Sequence, residues 1–352
     1  MAHCRPVLVT GGAGYIGSHV VRLLRNSGYP VVVFDNLSTG FRWAVLDAEL
    51  VVGDLAERDR LAALFAARDF AAVLHFAACI RVEESVSDPA RYYRNNVLNA
   101  LGLFELAAHH GGTAVVFSST AAVYGDPEFG YVSETSPIAP INPYGASKMM
   151  AERMLQDIGA ASNLRYAILR YFNVAGADPE RRIGQATPEA THLIKVACQT
   201  ALGKRPRIRI NGTDYPTPDG TCVRDYIHVD DLARAHIDAL HYLKSDGPST
   251  VLNCGYGHGH SVREVIDAVH RVTGIDFPVE DGPRRPGDPS MLVASNEKVR
   301  EVLGWQPRHD DLEFIVRTAW TWEQRLQAAG GPDGFGSTVV ASPTPQPGVG
   351  RV

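Results

Sequence analysis

The stretch "VLVTGGAGYIGSHVVRLL", residues 7–24, decides the fold. An apolar, β-branched run enters three glycines, Gly11, Gly14 and Gly17, spaced GxxGxxG, and a helix-like run follows at once. Glycine lets a backbone turn tightly and approach a pyrophosphate, whose charge then rests on exposed N–H groups at a helix N-terminus. Taken alone, the triplet is equally a plain tight turn. Its context, with a strand before, a helix after and Asp35 ending the next apolar run, selects a dinucleotide-binding end. An acid at that point accepts hydrogen bonds from the adenosine ribose and repels a 2′-phosphate, so NAD is expected over NADP. Asp54, ending the third run, reads either as an adenine-side contact or as a strand-end cap.

Outward from this stretch, short apolar runs alternate with helix-like segments: residues 6–10, 29–35, 48–54, 70–78, 113–119 and 165–172. Strands apolar on both faces are those of a parallel sheet covered by helices, so the fold class is α/β, a doubly wound Rossmann-type sheet. From about Ala175 the alternation gives way to Pro- and Gly-rich loops between isolated helices. Residues 1–174 are therefore expected to form the NAD-binding domain. Residues 175–326 should form a smaller α/β substrate lobe, with segments returning to the first domain. Residues 327–352, rich in small, polar, Pro and Gly residues, are expected to be a disordered tail, and deleting residues 331–352 should cost little.

With 352 residues and 45% hydrophobic content, the chain is long enough for one large globular unit or two intimate domains. A net charge of −5 without a long basic block excludes the footprint of a nucleic-acid or anionic-membrane binder, which leaves small molecules as partners. No charged segment followed by an apolar core opens the chain, and no long uncharged apolar run interrupts it, so a cytoplasmic location is expected. Cys4, Cys79, Cys198, Cys222 and Cys254 are dispersed and form no CxxC pair, which suits free thiols and not a zinc site.

A second stretch, "NPYGASKMMAE" from Asn142, sets Tyr144 and Lys148 one helical turn apart. The spacing by itself describes a common surface helix face. Tyrosine has an unperturbed pKa near 10, so a tyrosine base at neutrality needs about 4 kcal/mol of preferential phenolate stabilisation. A lysine on the same face and an oxidised nicotinamide ring would both supply positive charge. Together with the glycine fingerprint upstream and "FSSTAAVYG" ending the fifth strand, the pair reads as a base and its activator.

These segments, with "DNLSTG", "HFAA", "NNV", "LRYFNVAGA", "TCVRDYIHVDDL" and "PRRPGD", occur in the order and spacing of a known family. Over residues 5–325 the chain resembles the extended short-chain dehydrogenase/reductases, and among them the UDP-glucose (UDP-galactose) 4-epimerase family. The resemblance implies that Tyr144 is the base and acid, that Lys148 holds the nicotinamide ribose, and that the Thr120 hydroxyl meets the sugar O4. It implies NAD contacts from Tyr15, Ile16, Asn36, Ser38, Thr39, Gly40, Leu55, Phe76, Ala77, Ala78, Asn95, Ser118 and Tyr171, besides those already named. On the UDP-hexose it implies Asn173, His192, Leu193, Arg224, Arg285, Asp288 and Leu292. The two arginines suit a diphosphate because each fork binds phosphate oxygens at two points; as polar-loop surface arginines they would do nothing of the kind. Asn95 and Asn173 have the alternative of buried amides that satisfy a turn. Leu292 is either a gate at the sugar C2 position or a core residue of the strand "SMLVAS". A homodimer, through helices following Asn96 and Tyr144, is implied as well.

Three positions depart from the family pattern. Ile80 stands where some epimerases carry a lysine for the cofactor diphosphate, His192 where many have an asparagine, and Lys195 where a proline is usual. His258 and His260 lie in a glycine-rich turn, and no metal is expected. A nucleotide-sugar 4,6-dehydratase would need an acid pair after Thr120, where Ala121 and Ala122 stand. A dehydrogenase releasing NADH conflicts with the paired diphosphate arginines, and a non-catalytic NAD sensor conflicts with an intact Tyr144 and Lys148. The alternative with weight is a 4-epimerase for UDP-GlcNAc or UDP-glucuronate.

Overall fold

The computed structural model describes residues 5–335 except 112, 188 and 286. The six apolar runs become strands of one sheet: β1 (Val7–Thr10), β2 (Val31–Asp35), β3 (Glu49–Val52), β4 (Ala72–His75), β5 (Ala114–Thr120) and the strand Tyr166–Tyr171. A seventh, Thr250–Cys254, adds to the far edge. The spatial order is Thr250–Cys254, Tyr166–Tyr171, β5, β4, β1, β2, β3, every neighbouring pair parallel. The chain winds outward from β1 to β3, then returns to lay β4 on the other side of β1. This switch point opens a crevice at the carboxyl ends of the strands.

The central strands are buried along their whole length because helices cover both faces. One cover is α1 (Tyr15–Asn26), packed against the helix Val229–Lys244. The other includes the helices Asn99–His109 and Pro143–Ala161, which pack on each other. The second lobe is built from very short strands. His260–Ser261, Val223–Arg224, Met291–Ala294 and Tyr131–Val132 make one small mixed sheet, while Asn173–Ala175 pairs with Tyr226–His228. One hydrophobic cluster runs from Val7 and Val20 to Trp305 and Trp320, so the two halves share a core.

Within the tail expected from residue 327, residues 327–335 are ordered. Gln327 and Ala328 complete the helix Leu312–Ala328, and the chain then folds back to bury Phe335. The single phenylalanine gives that segment an apolar anchor which the surrounding Gly, Pro and Asp conceal; residues 336–352 lie outside the described range. Among the described residues no helix is long and apolar enough to cross a membrane. Cys79, Cys198, Cys222 and Cys254 are free thiols, and Cys4 is outside the described residues.

A buried ion pair fixes the helix Pro143–Ala161 to the sheet. The Arg170 guanidinium donates from Nε and Nη2 to the Glu152 carboxylate at 2.6–3.1 Å, and from Nη1 to the Tyr124 hydroxyl at 3.0 Å. Ser119 also donates to Glu152, and Tyr124 donates to Asn253 at 2.6 Å, so β5 and both strands beyond it meet in one network. Both charges are desolvated and fully partnered, so removing one strands the other. Glu152→Ala should cost about 3–5 kcal/mol in urea unfolding, and Arg170→Met added to it should recover part of that loss. A cost of Glu152→Ala below about 1 kcal/mol, the range of an exposed pair, would show that the network is not stabilising the helix.

Candidate active site

The glycine loop is shaped by contacts that leave no room for a side chain. Gly11 has φ 72°, and a Cβ there would lie 2.5 Å from the Ala77 nitrogen in the loop after β4. A Cβ on Gly17 would lie 2.2 Å from the Gly11 carbonyl, so α1 is pressed onto the loop. Gly14 stands at the N-cap of α1 with no side chain over the helix end. This cradle fits a dinucleotide pyrophosphate: the backbone approaches closely and the positive helix end faces the loop.

Asp35 ends β2 beside that cradle. Its carboxylate accepts from the Ala13 N–H at 2.9 Å and the Leu37 N–H at 2.8 Å, while burial raises its pKa above the usual carboxylate range. Asn36 donates to Asp54 at 2.6 Å and accepts from the Ser38 N–H at 2.9 Å. Asp54 also accepts from the Ala56 N–H, so it does cap its strand end and is at the same time tied to the Asp35 loop. Thr39 lines a small cavity with Ala13, Gly14, Tyr15 and Ser18. Gly40 lets the loop pass the Ala13 backbone, where a Cβ would come within 2.8 Å. Tyr15 donates to the Gly176 carbonyl at 2.6 Å and joins α1 to the second lobe, with Ile16 packed against the shared core. Leu55 is a core residue, buried with Phe34 and Leu61.

The tyrosine and lysine are not a surface face: Tyr144 is 9% and Lys148 3% exposed. Asn142 accepts from the Gly145 N–H at 2.9 Å and Pro143 occupies the first turn, so the helix begins immediately before Tyr144. A Cβ on Gly145 would sit 2.5 Å from the Ala122 carbonyl, which presses the helix onto the turn after Thr120. Lys148 donates to the Ser118 carbonyl at 2.9 Å and lies over the Phe117 ring. Burial pushes Lys148 down to about 8, with the Glu152 carboxylate opposing. For Tyr144 burial raises the phenol pKa, and the hydrogen bond with Thr120 works against that rise. Burial is thus the larger influence on the phenol. Ser118 is bonded to the Tyr171 hydroxyl, and Phe76 and Tyr171 both pack on His236.

Of the two adjacent asparagines, the structure gives the central place to Asn96, not to the expected Asn95. Asn96 is buried, exchanges two hydrogen bonds of 2.9 Å with the Cys79 backbone, and donates to Ser147 Oγ, which bonds the Tyr144 carbonyl. Asn95 is half-buried and donates to Asn96. The cause is a single π-type turn, Arg94–Leu98, which rotates the second amide inward. Nothing in "NNV" distinguishes the two. Ala77 and Ala78 carry the backbone past Gly11, and Ile80 beyond them is 51% exposed.

On the other side, Asn173, His192 and Leu193 line one cavity with Gln185, Lys195, Trp322 and Glu323. His192 Nδ1 lies 2.8 Å from the Gln185 side-chain amide, and burial pushes the imidazole down to about 4, so it is neutral at ordinary pH. Lys195 donates to the Gln185 carbonyl at 2.7 Å and pairs with the buried Glu323. Arg224 and Arg285 converge on Asp288, at 3.7 and 3.9 Å, and Arg285 also reaches Glu83. Arg224 is mostly buried, which removes the surface reading for it; Arg285 is half-exposed. Leu292, opposite Arg224 in register, is 9% exposed and packs with Ala121, Val123 and Phe172. The arginine side therefore adjoins the turn that carries Thr120.

Among the described residues one group has metal-ligand proximity, His228, Asp230 and His309. Two of its three members, Asp230 and His228, are committed elsewhere. Asp230 is held by His19 and Arg22, and His228 accepts from the Asp230 N–H and bonds Thr318. His258 bonds Asp310 at 2.7 Å, and His260 meets it edge-on.

Residues 7–255 match the NAD dependent epimerase/dehydratase family. The chain belongs to that family. It is 56% identical over 94% of its length to a UDP-glucose 4-epimerase of Azospirillum brasilense, covering 97% of that protein. Among solved structures it is similar to UDP-glucose 4-epimerase from Brucella ovis in complex with NAD, with TM-score 0.88, 45% identity, and 90% and 98% of the two chains covered. It is also similar to the UDP-Glc/GlcNAc 4-epimerase of Campylobacter jejuni, with TM-score 0.81, 49% identity, and coverage of 91% and 99%.

The cradle gives a direct test. Gly11→Ala should lose more than about 1–2 kcal/mol of stability, since both the left-handed backbone and the 2.5 Å approach forbid a methyl. NAD titration of the variant should show weakened binding, whereas wild-type NAD affinity would mean that the Ala77 loop gives way freely.

Proposed function

We propose that the protein interconverts UDP-glucose and UDP-galactose as an NAD-dependent 4-epimerase. The single observation that carries this is Tyr144, buried at the head of its helix where that helix presses onto the turn after Thr120, with Lys148 one turn below it on the Ser118 carbonyl. NAD, when bound, would supply the acceptor and donor of the sugar C4 hydride and would be regenerated in each turnover. Gly11, Gly14 and Gly17 would hold its pyrophosphate, Asp35 its adenosine ribose, and Lys148 its nicotinamide ribose. Tyr144 takes the proton of the O4 hydroxyl and gives it back after the 4-keto hexose has turned over. Thr120 orients O4 against the phenol.

The cationic ring that the site would hold beside Tyr144 supplies the charge that burial alone denies the phenolate. Arg224 and Arg285 would hold the diphosphate as the pivot, with Asp288 on the uridine ribose and Asn173 and His192 along the nucleotide. Rotation demands that the hexose be held loosely. Ala121, Ala122 and Leu292 beside Thr120 offer no hydrogen-bonding side chain, and no acid stands there for dehydration. The free thiols suit a reducing cytoplasm. Leu98, just before the helix Asn99–His109, and Met150, in the helix Pro143–Ala161, are exposed by 60% and 40% and support a homodimer through these two helices.

Protein with NAD should interconvert the two UDP-hexoses without net NADH; stoichiometric NADH with a keto or acid product would refute the closed cycle. Tyr144→Phe should lower kcat by about 10²–10⁴-fold with UDP-hexose affinity retained, because the hydroxyl acts mainly in the transition state. A near wild-type rate would remove Tyr144 from the chemistry.

A second reading, turnover of UDP-GlcNAc as well, is favoured by Leu292. Its side chain is smaller than tyrosine and stands against the turn carrying Thr120. UDP-glucose and UDP-galactose should be the better pair, with slower UDP-GlcNAc epimerisation. Leu292→Tyr should depress the N-acetyl reaction more than the parent one, and equal loss on both substrates would mean that the residue only packs the strand.

A further inference from the structure

Two cavities, one at the glycine loop and one at Asn173 and His192, share an aromatic partition. Trp43 lines the first and Trp322 the second, with ring centroids 5.8 Å apart. Phe335 closes on both, 4.9 Å from Trp43 and 5.1 Å from Trp322, and is 7% exposed. The Arg325 guanidinium lies 4.7 Å from the centroid of the Phe335 ring, and Trp43 Nε1 donates to the Pro332 carbonyl at 3.0 Å.

The path that brings Phe335 there is specific. Gly330 and Gly331, with φ 76° and 107°, turn the chain back at the end of the helix Leu312–Ala328, and their N–H groups bond the Gln327 and Leu326 carbonyls. Side chains other than glycine rarely adopt either angle. The opposite wall is held by the same rings: Gly184 lies against Trp322, where a Cβ would meet the indole at 2.6 Å, and Ala186 packs in the same cluster. Gly184 and Ala186 line the first cavity across from Trp43. Phe335 thus braces, from behind, both sides of the mouth through which a dinucleotide on the glycine loop would leave.

We propose that Gly330–Phe335 is a clasp that retains NAD, with Phe335 as the positioning residue that holds the Trp43 turn and the Gly184–Ala186 segment together. The proposal rests on the assignment of NAD to the glycine loop. Loosening either wall raises the rate at which the mouth opens, so the effect falls on dissociation more than on association.

The test compares wild type with Phe335→Ala and Phe335→Leu. Bound NAD is measured after gel filtration and denaturation, its exchange is followed with radiolabelled NAD, and NADH affinity of the stripped protein is read from energy transfer from tryptophan. Phe335→Ala should exchange NAD about tenfold faster or more and emerge from the column depleted, while Phe335→Leu, which keeps most of the bulk, stays near wild type. A Phe335→Ala protein with a lowered melting temperature but wild-type exchange would overturn the clasp and leave Phe335 as packing alone. If that variant does not fold, Trp43→Phe keeps a ring and drops the bond to Pro332; faster exchange supports the clasp and unchanged exchange overturns it. A wild-type protein that takes up no NAD would instead overturn the cofactor assignment, and the clasp with it.

Discussion

The bidentate grip of Arg170 on Glu152 is the interaction on which the site depends. Neither ion is where its own solvation would put it. Each has given up water for a buried position that is favourable only because the partner, Ser119 and Tyr124 complete its hydrogen bonding. Glu152 lies one helical turn beyond Lys148, and Arg170 lies on the strand next to β5. The pair therefore clamps the helix at a fixed height over the carboxyl end of β5, where Ser118 and Thr120 emerge. At the other end of that helix Gly145 rests on the Ala122 carbonyl and Asn142 caps the first turn. Tyr144 is held between these two fixed points.

That rigidity creates an electrostatic problem which the protein alone does not solve. Burial raises Tyr144 and lowers Lys148, so each group is driven toward its neutral form. The two shifts are not independent in function. A lysine brought down to about 8 gives up its proton more readily than an exposed one, yet its ammonium is the one that Ser118 and the face of Phe117 receive. Under the proposed reaction an oxidised nicotinamide would supply a cation in the same low-dielectric space and so favour the phenolate.

Much of this was legible in the chain. The glycine spacing, the apolar run before it and Asp35 after it locate the crevice, because turn geometry and charge leave few residue types that serve. Six of the seven sheet strands are equally visible as continuous apolar runs. The seventh, "TVLNC", is masked by Asn253, a buried amide whose partners, Tyr124 and the Val132 carbonyl, are far away in the sequence. The choice between Asn95 and Asn96 turns on one π-type turn, and the order of Gln327–Phe335 on one phenylalanine meeting two tryptophans. For Asn253 and Phe335 the deciding contact is tertiary. Periodicity reports which face of a local element is apolar, but not which distant residue will satisfy an amide or cover a ring.

The second lobe illustrates a different economy. Its strands are two to four residues long, too short to be stable on their own, and their register is fixed by single polar residues. Asp225 is the centre of this: buried, raised to about 6, it accepts from the Tyr256, Gly257 and Ala294 N–H groups, which come from two different segments. One carboxylate thus sets the positions of Arg224 beside it and of the Met291–Ala294 strand opposite. Lys195 and Glu323 do the same for the cavity wall, where the lysine fixes the Gln185 carbonyl and Gln185 in turn fixes His192. A site that must hold a nucleotide firmly and a sugar loosely needs its polar groups immobilised from behind. Here the immobilising groups are buried acids, and the turn after Thr120 opens with two alanines that offer no hydrogen-bonding side chain.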